Sequence, residues 1–596
     1  MRWCGLWVLG LVACGDPQIH LTFPIPAEYE ALTDAVTLKI YEPPAAEPFT
    51  CEDLAFGAAD PDVVRISLAS ELPARDDVVP LTGIDRVGSK LFLAEGATTD
   101  GRRLIVGCQA VGTIENDSDV ELVARPTTRV RVNSRPNLAR VLGRPLDGPI
   151  VLRVTDARSA DPEAGQDQPL LGVDVRWRVV GSGGSGASGE AVSNAMGDVA
   201  IMPALPTRAG PYQLDVKVAW AESPPEGVSG FVSPPPEQVR IPARTLAYQA
   251  GRIGPNGEPG LVALLVDQVR SVKVALIYRS PSTGEVLQQI SDSIAADAAV
   301  LGLLDAPGRS RDRPVVITRT SWLEVGPDAS LIPRATYQAP ISPPRRAVPF
   351  GDCGATRAPE LLVIYGSLGD TVSVYQEDGT RRTGFAGGID VLASGCVADQ
   401  TGTEFRTLVI DDLINGGLQI AAELQPSMFA GLQWFAVAFG MSFAEPLGDS
   451  PGLLLGTQLL VNDFVVARLG LDRLDNDRFE LSEIGLDAPP SVPQANRGGD
   501  LDGDRNLDVV SLFGRPSAVG QPVQFAVWAA LHANVDGRRL AGEFDVGQPT
   551  SRAPELFVLD LDLDGIDDVV TAEMNGEDAG ATSSAIEIYS MGLTAE

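Results

Sequence analysis

Asp500-Leu-Asp-Gly-Asp-Arg-Asn-Leu-Asp508-Val-Val510 and Asp560-Leu-Asp-Leu-Asp-Gly-Ile-Asp-Asp568-Val-Val570 carry one pattern twice. In each, carboxylates stand at offsets 0, 2, 4 and 8, and an apolar pair follows at once. Four carboxylates so close together repel one another unless a hard cation lies between them. Oxygen ligands at alternating positions, with a Gly for the sharp turn, are what Ca²⁺ prefers. A single acidic loop is usually a solvated turn. Two matching loops 60 residues apart favour metal and also mark a repeat. An EF-hand does not fit, because the twelfth positions are Ser511 and Thr571 rather than Glu and no helical pattern flanks the loops.

Once the frame is known, weaker copies emerge. Leu304-Asp-Ala-Pro-Gly308 precedes Val315-Val-Ile317. A nine-residue frame from Asp352 to Glu360 precedes Leu361-Leu-Val-Ile364. Asp411-Asp-Leu-Ile-Asn-Gly-Gly-Leu-Gln419 precedes Ile420. The frames start at 305, 352, 411, 500 and 560, spaced by 47, 59, 89 and 60 residues. Four-stranded propeller blades run roughly 40–50 residues and tolerate loop insertions. The strand-like runs Leu459-Leu-Val461 and Phe464-Val-Val-Ala467 predict a further blade inside the longest gap.

Residues 244–596 thus resemble FG-GAP/VCBS repeats, the blades of integrin-α-type β-propellers. The resemblance implies a six- or seven-bladed propeller in which each loop joins two adjacent strands of one blade and holds Ca²⁺. The implied ligands are Asp500, Asp502, Asp504, Asp508 and the carbonyl of Asn506, then Asp560, Asp562, Asp564, Asp568 and the carbonyl of Ile566. The frames at 352 and 411 depart from the pattern: Gly354 and Thr356 stand where the first of them needs carboxylates. Both are expected to keep the turn without the ion.

The fold class reads as all-β throughout the chain. Gly (62) and Pro (46) are frequent, β-branched runs are short, and long 3.6-residue periodicity is missing. Residues 14–33 read as a Pro-containing tether holding His20. Residues 34–133 read as a β-sandwich, and 222–243, with Pro224-Pro225 and Pro234-Pro-Pro236, as a semi-rigid linker. Between them, 147–221 resemble bacterial Ig-like domains of the invasin/intimin type. The matching segments are Leu170-Leu-Gly-Val-Asp-Val-Arg-Trp177, the turn around Gly197 and Gly210-Pro-Tyr-Gln-Leu-Asp-Val216. The resemblance implies a spacer module with Trp177 between two sheets. Gly181-Ser-Gly-Gly-Ser-Gly186 matches a dinucleotide-binding spacing, but Ala187–Asn194 does not make the helix that such a site needs, so a hairpin is expected.

The first residues address the chain. Arg2, the apolar run Leu6–Val12 and Leu11-Val-Ala-Cys14 resemble the signal peptide and lipobox of bacterial lipoproteins. This implies removal of residues 1–13, acylation of Cys14 and anchorage in a bacterial cell envelope, with the outer membrane expected. No other segment is long and apolar enough to span a bilayer. Four cysteines remain in an oxidising compartment: Cys51, Cys108, Cys353 and Cys396. Nearest-neighbour pairing gives Cys51–Cys108 and Cys353–Cys396, among three possible connectivities.

A formal charge of −33 argues against nucleic acid or anionic lipid surfaces as partners. With only His20 and His532, no Ser-His-Asp or Cys-His set can be assembled in the folded domains, and no His-ligated zinc site. The expectation is a non-enzymatic, lipid-anchored envelope protein whose Ca²⁺-stabilised propeller binds a protein or polysaccharide. A polymer-degrading enzyme with a propeller head and a purely structural envelope component are the alternatives.

Overall fold

The computed structural model describes residues 19–592 apart from connecting stretches, among them 224–227, 305–309, 351–358, 413–417, 504–507 and 532–539. In the strands between 383 and 494 only chain path and pairing are described. Among the described residues the sole helices are Ala27–Glu30 and Cys51–Ala55, and the remaining regular structure is β. Cys14, Cys353, His532 and the frame start at 305 lie outside the described residues, as does the side chain of Cys396.

The N-terminal sandwich packs a sheet of Ile66–Leu72, Ala35–Tyr41, Lys90–Ala97, Arg103–Val111 and Arg125–Pro126 on a smaller one of Val79–Leu81, Ile19–Thr22 and Ser118–Glu121. The expected tether is therefore part of the fold. Ile19 and Leu21 alternate inward, and His20 lies on that strand with Nδ1 3.3 Å from Asp119. The prolines at 24 and 26 only end the strand. Cys51 and Cys108 are disulfide-bonded.

The second sandwich sets a sheet of Ala139–Val141, Val228–Ser233, Gly210–Val218, Asp174–Gly181 and Gly184–Val192 against Asp198–Ile201, Ile150–Asp156 and Thr128–Ser134. Thr128–Ser134, expected in the first sandwich, belongs here because it pairs with Ile150–Asp156. The glycine-rich stretch is a hairpin between two strands. Trp177 is only half-buried: it lies over Gly189 on the neighbouring strand, at the margin of the core rather than its centre.

The two sandwiches share a joint that the sequence did not announce. Trp220 inserts among Tyr41, Leu91, Leu93 and Val106 beside the disulfide, and its N–H donates to the Ala55 carbonyl at 2.8 Å. Its φ of 58° is left-handed, a strain that a bulky residue bears only when its surroundings over-determine it. Nearby, the Tyr29 hydroxyl donates to buried Asp156 at 2.7 Å.

From residue 237 onward the described strands form seven sheets, each built on four antiparallel strands that lie in sequence order in all but the last. Their first strands are Arg244–Arg252, Ala299–Leu304, Pro344–Phe350, Ile389–Ala398, Met441–Pro446, Pro493–Gly499 and Glu555–Leu559. Each first strand neighbours the next, and the last neighbours the first, which is the ring of a β-propeller. Second strands such as Glu360–Tyr365 are buried along their whole length because sheets cover both faces, so they read as continuous apolar runs rather than alternating ones. The seventh blade holds Glu555–Leu559, Asp568–Ala572 and Ser584–Tyr589, and its fourth strand is Glu237–Ile241 from the other end of the ring.

The expected linker at 222–243 therefore contains two strands, Val228–Ser233 of the second sandwich and the closing strand Glu237–Ile241, joined by Pro234-Pro-Pro236 alone. Prolines flank the strands instead of dissolving them. The frame at 411 also fails. Asp411 and Asp412 end the second strand of the fourth blade, Glu404–Asp412, so they do not occupy the loop between first and second strands.

Trp220→Ala should destabilise the sandwich pair by about 3–5 kcal/mol, the usual cost of deleting a buried Trp. The check is a lower urea midpoint for the transition that carries the disulfide-linked domain.

Candidate metal centre

Both aspartate ladders occupy the loop from first to second strand, in the sixth and seventh blades. In sequence the frames at 305 and 352 follow the first strands of the second and third blades, and both starts lie outside the described residues. The ladder's position follows from blade geometry: the last carboxylate is the first residue of the second strand, and the apolar pair enters the core. Asp508 and Asp568 are both buried at these strand starts.

In the sixth blade, carboxylate oxygens of Asp500, Asp502 and Asp508 lie within 4.8 Å of one another. In the seventh, Asp560, Asp562 and Asp564 do the same. Between them the two triads use all four offsets of the ladder. Oxygens on opposite sides of a Ca²⁺ ion are separated by about 4.6–5.2 Å, twice a Ca–O distance, so either set suits that ion in chemistry and spacing. Asp504 and Asn506 lie outside the described residues. Asp568 is not brought into its triad: it accepts N–H bonds from Leu561 at 3.1 Å and Met591 at 3.3 Å. Ile566 donates its N–H to Asp564 at 2.8 Å and packs its side chain toward the sixth blade's core.

Backbone N–H groups hold the loops in shape. Asp500 accepts from Gly503 at 2.7 Å, and Asp508 accepts from Leu501 at 2.7 Å. Asp560 accepts from Asp564 at 3.1 Å and from Gly565 at 3.0 Å. Burial pushes the Asp568 carboxyl up to about 8, and the charges of Asp562 and Asp564 add to it. Asp562 is raised too, by burial and then by Asp564. A bound cation reverses such shifts by favouring the ionised carboxylates.

Sequence reasoning missed Asp567. Its carboxylate accepts the Asp500 N–H at 2.7 Å while its own N–H donates to the Asp500 carbonyl at 2.7 Å. The seventh blade's loop thereby braces the first ligand of the sixth. Asp312 makes the same reciprocal pair with Arg252 across the first and second blades, at 2.8 and 2.9 Å. Each Asp sits one residue before a second strand, and that position is the signal that could have found them.

One loop carries strain that its sister avoids. At offset 3, Gly503 adopts φ 81°, and the matching Leu563 is forced to φ 62° with its side chain exposed.

No protein-family profile matches the chain, and no curated protein matches it. Among solved structures, the chain is similar to BBS1N in complex with ARL6DN, soaked with mercury, with a TM-score of 0.37 and 11% identity over 60% of this chain and 96% of that one. The same complex soaked with lead gives a TM-score of 0.36 and 12% identity over 60% and 98%. The WD40 domain of SCAP from fission yeast gives 0.34 and 11% over 60% and 88%.

Leu563→Gly should stabilise the propeller by about 0.5–1 kcal/mol. Left-handed backbone costs a non-glycine residue roughly 1–2 kcal/mol, and the freedom that Gly adds to the unfolded chain takes back about half. A rise in the propeller's urea midpoint checks this.

Proposed function

We propose that this chain is a non-enzymatic, lipid-anchored envelope protein of bacteria. In this reading the propeller is a Ca²⁺-stabilised binding head for a protein or polysaccharide, and the sandwiches hold it away from the anchor. The observation that carries the reading is the placement of two carboxylate triads at the same turn of adjacent blades, where the ring closes. Asp500, Asp502 and Asp508 would hold one ion, and Asp560, Asp562 and Asp564 the other. The ion supplies charge neutralisation and a fixed loop, so its role is structural rather than catalytic.

The supporting physics is simple. Three carboxylates within one ion's reach destabilise a fold when bare and stabilise it when a divalent cation binds the folded state alone. The acidic balance of 79 Asp and Glu against 46 Lys and Arg favours a ligand that is neutral or basic. By analogy with propellers in general, the ligand would sit on a face of the ring.

Two experiments test the reading. Ca²⁺ should bind at about two ions per chain, and at 100 times Kd each ion adds about 2.7 kcal/mol. Chelation with EDTA should therefore lower the propeller's melting temperature, and an unchanged melting curve would sink the calcium assignment. Cys14→Ser should release the protein from the membrane fraction; continued sedimentation with membranes would remove the lipid anchor. A screen of envelope polysaccharides and proteins against the full chain then identifies the ligand.

A further inference from the structure

The strand that closes the ring is a weak fastener. Glu237–Ile241 pairs with Ser584–Tyr589 over five residues, yet only Ile241 is buried, while Glu237, Gln238 and Arg240 are exposed. Its two ends are held by different means. Beyond Ile241, the Thr245 N–H donates to Asn575 at 3.2 Å, its hydroxyl donates to Ser584 at 3.0 Å, and Ser584 donates to Asn575 at 2.8 Å. This buried polar knot pins the trailing end to the seventh blade.

The leading end is held differently. Glu237 pairs with Arg279 at 2.7 Å, and such an exposed ion pair contributes little. Gln238 donates to buried Glu587 at 3.1 Å, which also accepts the Tyr589 hydroxyl at 2.8 Å. Three prolines before Glu237, however, the chain is already committed to the strand Val228–Ser233, and that strand of the second sandwich lies on the propeller. It packs against Leu540–Asp545, the outermost strand of the sixth blade. Phe231 meets Phe544 with ring centroids 4.7 Å apart, and Phe544 meets Tyr589 at 4.8 Å. Tyr589 follows Ile588, the residue paired with Glu237. One apolar cluster thus joins the sandwich, the sixth blade and the seventh blade beside the leading end. Gly542 permits the approach, since a Cβ there would stand 2.2 Å from the Gly230 carbonyl oxygen. Arg208 of the sandwich adds a hydrogen bond to the Asp502 carbonyl at 3.2 Å.

We propose that the second sandwich is the clasp of the ring: docking of Phe231 on Phe544 and Tyr589 keeps the leading end of Glu237–Ile241 paired. The clasp goes beyond the functional reading above and depends on neither the calcium nor the lipid anchor. Tension applied from the N-terminal side meets the docked sandwich before it reaches the closing strand. Undocking frays the strand from Glu237 inward, and the Thr245 knot stops the fraying.

Hydrogen exchange of the full chain tests the clasp, with small-angle scattering reporting the sandwich position. Gly542→Val places its Cβ against Gly230 and Phe231 of the sandwich. It should undock the sandwich, raise the radius of gyration and speed exchange in the peptide covering Glu237–Arg240 by about tenfold or more. Exchange in Glu360–Tyr365 and around Thr245 should stay unchanged. Phe544→Ala, which removes the middle ring without adding atoms, should act in the same direction and carries the test if the valine chain does not fold. An undocked sandwich with Glu237–Arg240 still protected overturns the proposal, and so does a valine variant that leaves the sandwich docked.

Discussion

A ring of sheets holds only if its last sheet is tied to its first, and in this chain the tie must span the whole propeller. Glu237–Ile241 finds Ser584–Tyr589 only after the seven inner strands have been laid down. Closing a loop of that length costs on the order of 5 kcal/mol in chain entropy. Five residue pairs in a largely exposed strand return little of it. The other fastenings in the last two blades are the remainder of that balance: the polar knot at Thr245, the Asp567 bridge to Asp500, the aromatic contact from the sandwich and the paired carboxylate loops.

These fastenings are physically linked. Leu501, inside the sixth blade's acidic loop, belongs to the same buried cluster as Phe231 of the sandwich and Tyr589 of the seventh blade. Its N–H is held by Asp508, which is also one of the triad. The acidic loop and the docked sandwich thus border one buried cluster. Asp567 ties the neighbouring loop to this one through the Asp500 backbone. The seventh blade's loop keeps its bond set although Leu563 pays in backbone strain, which is what an over-determined site looks like.

What the sequence disclosed was local. The ladders were legible because four carboxylates, a Gly and an apolar pair fall within eleven residues and repeat. The weaker frames at 305 and 352 begin directly after, or two residues after, a first strand in sequence, and both starts lie outside the described residues. The frame at 411 misled because Asp411 and Asp412 have the right composition at the end of a second strand instead. Pairing partners were out of reach: Ile19–Thr22 looked like a tether and Glu237–Ile241 like a linker until Ser118–Glu121 and Ser584–Tyr589 claimed them. Prolines beside a strand weigh against it in a sequence window, and only the distant partner reverses that weight.

The residues that no window could show are those acting between units. Trp220 is an unremarkable aromatic in sequence, yet it accepts a left-handed backbone to fill the first sandwich. Gly542 is one glycine among 62, and its value is the approach of Gly230 from another domain. Both place a special backbone feature where two domains meet. Such a feature is costly or pointless within one domain and useful only if the domains hold a fixed relation. The N-terminal half of the chain is therefore built to keep its geometry on the propeller, and a pull on one end is delivered to blades six and seven, where the bonds that close the ring are gathered.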